Sequence, residues 1–146
     1  MNVCLPHVGF DAESNSGGDI ADREIMLALA RLGVEVHVPL FGRRVNTVTA
    51  EGITFHQSKW RSTYGTGTAI PNAVYLTSIR RIHRSTPLDL VRFYSQDYGY
   101  CAYLVKSTLR LPIVWNYHHL EGDFNERWQS WWFIKQFDAI TTVSEA

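Results

Sequence analysis

Between Ser14 and Leu40 the chain reads SNSGGDIADREIMLALARLGVEVHVPL. Ala21, Ile25, Ala28, Leu29 and Leu32 recur at helical spacing, while Asp22, Arg23 and Arg31 lie away from that stripe. Asp19 and Asp22 suit the positive end of the helix dipole, and Gly33 offers a natural stop. The next residues, VEVHVPL, alternate in polarity and read as a strand closed by Pro39. Upstream, MNVCLPH is a short apolar strand ended by Gly9. The stretch thus completes a strand–helix–strand unit, with Gly17 and Gly18 standing where its helix begins.

The alternation continues along the chain. GITFH (52–56) is a strand, the Ser-, Thr- and Gly-rich 57–71 a loop, and NAVYLTSIRRIHR (72–84) a helix. DLVRFY (89–94), a helix over 99–111, PIVWNYH (112–118), a helix over 125–137 and DAITTV (138–143) follow in turn. This order predicts an α/β fold, a Rossmann-like doubly wound parallel sheet with helices on both faces. Residues 1–146 are expected to form a single domain. Ser144, Glu145 and Ala146 would open a helix over the last strand, so the expectation is a domain completed by further chain or by a partner chain.

Composition narrows the function classes. The formal net charge is zero, which removes the global electrostatic case for nucleic-acid binding. Charge is unevenly spread, however: residues 41–86 hold seven basic side chains against Glu51 alone. A basic middle third suits either a solvated surface or a local anionic partner. Cys4 and Cys101 lie in apolar surroundings without metal-like spacing, so they read as buried free thiols of a reducing, cytoplasmic protein. The first ten residues do not resemble a signal peptide, and no stretch has the length of a membrane span.

In an open parallel sheet, ligands bind outside the carboxyl ends of the strands. A glycine pair there lets a ligand approach the backbone, and the helix start aims unpaired N–H groups at a phosphate or carboxylate. The same pair also suits a turn without ligand. A dinucleotide fingerprint is excluded, because Gly17 falls eight positions after Gly9 and no third glycine follows. The Lys-Ser/Thr phosphate loop is missing too. His118 ends a strand at the ligand-binding edge, where an imidazole can bond a ligand or titrate near neutrality. It equally suits a strand end without chemistry. His118 and His119 do not have zinc spacing, so no metal is expected. Trp128, Trp131 and Trp132 share a helical face that suits core packing, a neighbouring surface, a bound ligand or a peripheral membrane contact.

Several stretches together resemble the start of a GT-B glycosyltransferase of family 4. Gly-Gly before an amphipathic helix is one, followed by Gly33-Val34-Glu35-Val36-His37-Val38 against the pattern G-H-E-V-x-V, with Val34 replacing histidine. LPIVWNYHHLEG resembles P-x-V-x-T-x-H, with Pro112, Val114 and His118 in register and Asn116 in the threonine position. FDAITTVSEA resembles A-D-x-I-x-x-V-S-E through Asp138, Ile140, Val143, Ser144 and Glu145. PLDLVRFY corresponds to P-D-V-I-H-x-H, with Arg92 where the first histidine is common.

The resemblance implies the acceptor-side N-terminal domain of a retaining transferase that uses a nucleotide sugar as donor, without metal or other cofactor. It implies that Gly17 and Gly18 receive the donor phosphates and sugar, and that His118 is catalytic. It also assigns acceptor binding to the region of Arg80, Arg81, Arg84 and Glu121, for a sugar, lipid-linked or small-molecule acceptor. A C-terminal nucleotide-sugar domain would be needed for activity, and the chain alone would be inactive or nearly so. The alternative is a non-catalytic Rossmann-like binding module that works with a partner chain.

Overall fold

Asn2–Cys4 forms β1, and Val3, Cys4 and Leu5 are all buried, so the first apolar run lies inside the sheet rather than at its rim. The computed structural model describes residues 1–7, 17–41, 46–58, 69–94, 98–117 and 134–142. After β1 come α1 (Gly17–Arg31), β2 (Glu35–Phe41), β3 (Asn46–Ala50) and β4 (Ile53–Ser58). Then follow α2 (Ala69–Ser85), β5 (Leu90–Phe93), α3 (Gly99–Leu109), β6 (Ile113–Tyr117) and β7 (Ala139–Thr142). The seven strands form one sheet in the order β3-β4-β2-β1-β5-β6-β7.

Strand β1 is held between β2 and β5, with Val3 opposite Val36 on one side and Leu90 on the other. Its amino end is fastened further: Asn2 donates to the Asp89 carboxylate at 2.7 Å and to the Pro87 carbonyl at 2.8 Å. Period-two alternation sends side chains to two separate cores. Val3, Leu5, Val36, Val38 and Ile53 pack with Met26 of α1 on one face. Cys4, Val91, Phe93, Ile113 and Trp115 pack with Tyr75, Ile79 and Ile82 of α2 and with Cys101, Ala102 and Val105 of α3 on the other. The expected α/β sheet with helices on both faces is therefore present.

The sheet is not wholly parallel, which corrects the expectation. Strand β3 pairs antiparallel with β4, from Asn46 opposite Gln57 to Ala50 opposite Ile53. The joining residues Glu51 (φ 52°) and Gly52 (φ 79°) are both left-handed, as a tight two-residue hairpin turn requires. The signal was the alternation of Val48 with Thr47 and Thr49 before a Glu-Gly pair. Polar threonines hid it.

Helix α1 stops as Gly33 predicts, in a Schellman arrangement. Val34 N–H reaches the Leu29 carbonyl at 3.0 Å and Gly33 N–H reaches that of Ala30 at 3.0 Å, with Gly33 at φ 79°. Its buried face differs from the expected stripe. Leu32 is 81% exposed and Ala28 is also exposed, whereas Asp22 is 1% exposed and Met26 is buried one turn later. Asp22 shares a face with Met26 at i, i+4, and an ion pair compensates its burial. Most of the expected helix over 125–137, including the three tryptophans, lies outside the described residues. Its end, Phe137, is buried against Trp115, with ring centroids 5.4 Å apart.

Candidate functional site at the carboxyl edge

Between β1 and β5 the strand order reverses: β1 leads through α1 to β2 on one side, and β5 leads through α3 to β6 on the other. Such a switch point leaves a crevice above the carboxyl ends of the two strands. Strand β1 continues into Leu5, whose N–H bonds the His37 carbonyl, and then into Pro6 and buried His7. Strand β5 brings Arg92 and ends beside Tyr94. Above them begins α1, with Gly17 and Gly18 as its first two residues.

A polar cluster joins these elements. Arg92 Nη2 donates to Asp22 Oδ1 at 2.9 Å, and His7 Nε2 lies 3.6 Å from Asp22 Oδ2. The three side chains are respectively 9%, 2% and 4% exposed for Arg92, Asp22 and His7. The His7 ring stacks on Tyr94 with centroids 4.8 Å apart, and the Tyr94 and Tyr98 hydroxyls are 3.1 Å apart. Along the same sheet face, Thr141 donates to Asn116 Oδ1 at 2.7 Å, linking β7 to β6. Asp22 stands five residues into α1, about 7.5 Å below its start. The helix start and the ion pair therefore belong to one edge of the sheet.

The residues singled out from the sequence do not all gather here. Gly17 and Gly18 do, as the first turn of α1. His118 and Glu121 lie outside the described residues; His118 comes directly after Tyr117, the last residue of β6. The three arginines of α2 lie elsewhere. That helix ends where Asp89 N–H bonds the Asn2 carbonyl, at the amino edge of the sheet. Arg80 donates to Thr108 in the last turns of α3 at 3.2 Å, while Arg81 and Arg84 are exposed. They are spread around the far end of α2, not grouped with the glycine pair.

Arg81 faces a different pair. His37 Nδ1 and His56 Nε2 are 3.0 Å apart across β2 and β4. Burial, the neighbouring His37 and the Arg81 charge push the His56 pKa down to about 4. Burial also lowers that of His37, against the opposing pull of Glu35. Both cysteines are buried with thiol pKa values raised by burial, which leaves them unreactive. Asp138 takes a bond from Lys106 at 2.7 Å and from Ile113 N–H at 2.9 Å, so it staples α3 to the start of β6. The Lys106 bond is the main cause of its lowered pKa.

A model of the family described as Glycosyltransferase Family 4 matches residues 23–146. The chain belongs to this family. The mostly parallel sheet with helices on both faces agrees with that membership. Among solved structures, sucrose-phosphate synthase from Thermosynechococcus elongatus matches with a TM-score of 0.66 at 13% identity, over 86% of this chain and 37% of that one. A second structure of that synthase matches with a TM-score of 0.69 at 12% identity, over 99% of this chain and 77% of the other. The catalytic domain of starch synthase IV from Arabidopsis thaliana, bound to ADP and acarbose, gives 0.55 at 16% identity, over 80% of this chain and 34% of that one. These are GT-B glycosyltransferases, and the likeness is one of fold. A search of curated protein sequences finds no significant match. The family 4 chain spans about a third of the length of two of these relatives.

Sequence reading missed His7, Asp22 and Tyr94 as site residues, and Arg92 registered only as a departure from a histidine. A usable signal was present in LVRF. An arginine between Val91 and Phe93, in a strand covered on both faces, needs a buried partner.

Proposed function

We propose that this chain is the acceptor-side domain of a retaining glycosyltransferase, which moves a sugar from a nucleotide-sugar donor to an acceptor. The observation that carries the reading is the start of α1, led by Gly17 and Gly18, at the switch-point crevice of a family 4 fold. Glycine backbone there admits a diphosphate closely, and the helix start meets its charge with unpaired N–H groups. A second α/β domain forms the opposite wall and holds most of the nucleotide. The share of the relatives that this chain spans supports that division. His118, following β6, bonds the transferred sugar at the cleft. On this reading no metal is required, because the helix start meets phosphate charge with its N–H groups.

The test uses the protein together with its second domain. Nucleotide sugars screened by thermal shift should raise Tm for one donor class, and that donor should support transfer with anomeric configuration retained. His118→Ala should cut kcat by roughly 10–100-fold with Tm unchanged, the scale of losing one positioned hydrogen-bonding group. The 146-residue chain alone should show no transfer above background; robust turnover by it would overturn the two-domain reading.

A further inference from the structure

Arg92 makes one hydrogen bond among the described residues, from Nη2 to Asp22 Oδ1 at 2.9 Å. A guanidinium carries five N–H donors, so most of its capacity is unused there. The side chain is only 9% exposed. The cation is therefore held in place by Asp22, with N–H donors to spare among the described residues. Burial of a charge is tolerated when its hydrogen bonds are completed, and a ligand oxyanion would complete them.

Position supports the same conclusion. Arg92 is the third residue of β5, opposite Val114 of β6, and Asn116 lies one step nearer the carboxyl edge on that neighbour. Its partner Asp22 sits in the second turn of α1, beneath the helix start at the crevice. Imidazole, the more usual group at this place in the family pattern, offers two nitrogens. Guanidinium offers a planar fork, one arm of which serves Asp22 while the rest matches a second oxyanion.

We propose that Arg92, anchored by Asp22, recognises a phosphate or carboxylate group on the acceptor that enters the carboxyl edge of the sheet. This rests on the transferase reading above and gives the acceptor a class: an anionic sugar or small molecule. Asp22 is then a positioning residue, which fixes the guanidinium without touching the acceptor.

Calorimetric titration of the full chain with glucose 6-phosphate, glucuronate and glucose tests this and separates the two oxyanions. At least one anionic probe should bind about tenfold or more tightly than glucose, and added salt should weaken it. The double variant Arg92→Gln/Asp22→Asn replaces two charges by a neutral amide pair, and it should lose the preference while keeping its glucose affinity. Arg92→Lys retains the charge beside Asp22 without the fork, and should lose about threefold or more in anion affinity. Equal binding of the three probes, a preference surviving in the double variant, or an undiminished preference in Arg92→Lys overturns the proposal. Transfer by the two-domain enzyme to neutral acceptors alone would also overturn it, while leaving the transferase reading in place. Anion binding governed by Arg92 without any sugar transfer would do the reverse.

Discussion

Asp22 carries a carboxylate into a position 1% exposed, where it meets Arg92 and His7 from the ends of two strands. Removing one member of such a pair strands the other charge in a medium that solvates it poorly. Asp22→Ala should therefore cost about 3–5 kcal/mol in urea unfolding, whereas the paired change Asp22→Leu/Arg92→Met should cost far less or stabilise. Equal losses in the two proteins would refute the coupling. Asp22 also marks the limit of reading charge from a helical wheel. Its neighbours Arg23 and Glu24 are polar and not buried, so a stripe drawn on hydrophobicity alone puts Asp22 with them. Only the partner on β5, seventy residues away, reveals it.

Among the elements, those with strong apolar periodicity were legible before the structure: β1, α1, β2, α2, β5, α3 and β6 fall close to their expected places. The β3–β4 hairpin was half legible, because Thr47 and Thr49 face away from the α1 core and leave Val48 as the apolar marker of β3. Its turn now carries a testable constraint. Gly52 has φ 79°, and a Cβ built on it would lie 3.2 Å from Ala30 Cβ in α1. Gly52→Ala combines left-handed strain with this contact, and should lower stability by about 1–2 kcal/mol by thermal unfolding. The basic face of α2 shows a second limit. Helical spacing groups Arg80, Arg81 and Arg84, but only topology tells which end of the sheet they occupy. The last turn of α2 leads into Pro87 and β5 at the amino edge, so their grouping in sequence is not a grouping at the crevice.

At the scale of the whole molecule, the His37–His56 contact predicts how stability follows pH. One proton suits two ring nitrogens 3.0 Å apart, and the surrounding charges are Glu35 on β2 and Arg81 on α2. His56 titrates near 4 when folded but near 6.5 when unfolded, so the unfolded chain binds more protons between those values. The stabilisation is complete above about pH 6.5 and declines as pH falls toward 4. His56→Phe should flatten the slope of unfolding free energy against pH over that interval; identical slopes would exclude this pair as its source.

The central place of β1 has a consequence for biogenesis. Its amino end is bonded to Asp89, 87 residues downstream, and Val3 needs Leu90 as its second neighbour. During translation, β1 to β4 emerge well before β5. The nascent half-sheet then presents β1 as an open edge, its N–H and C=O groups unpaired along the line that will later become the middle of the protein. An open edge of that kind templates aggregation. The interval between synthesis of Ser58 and of Phe93 is therefore when a growing chain most needs a chaperone.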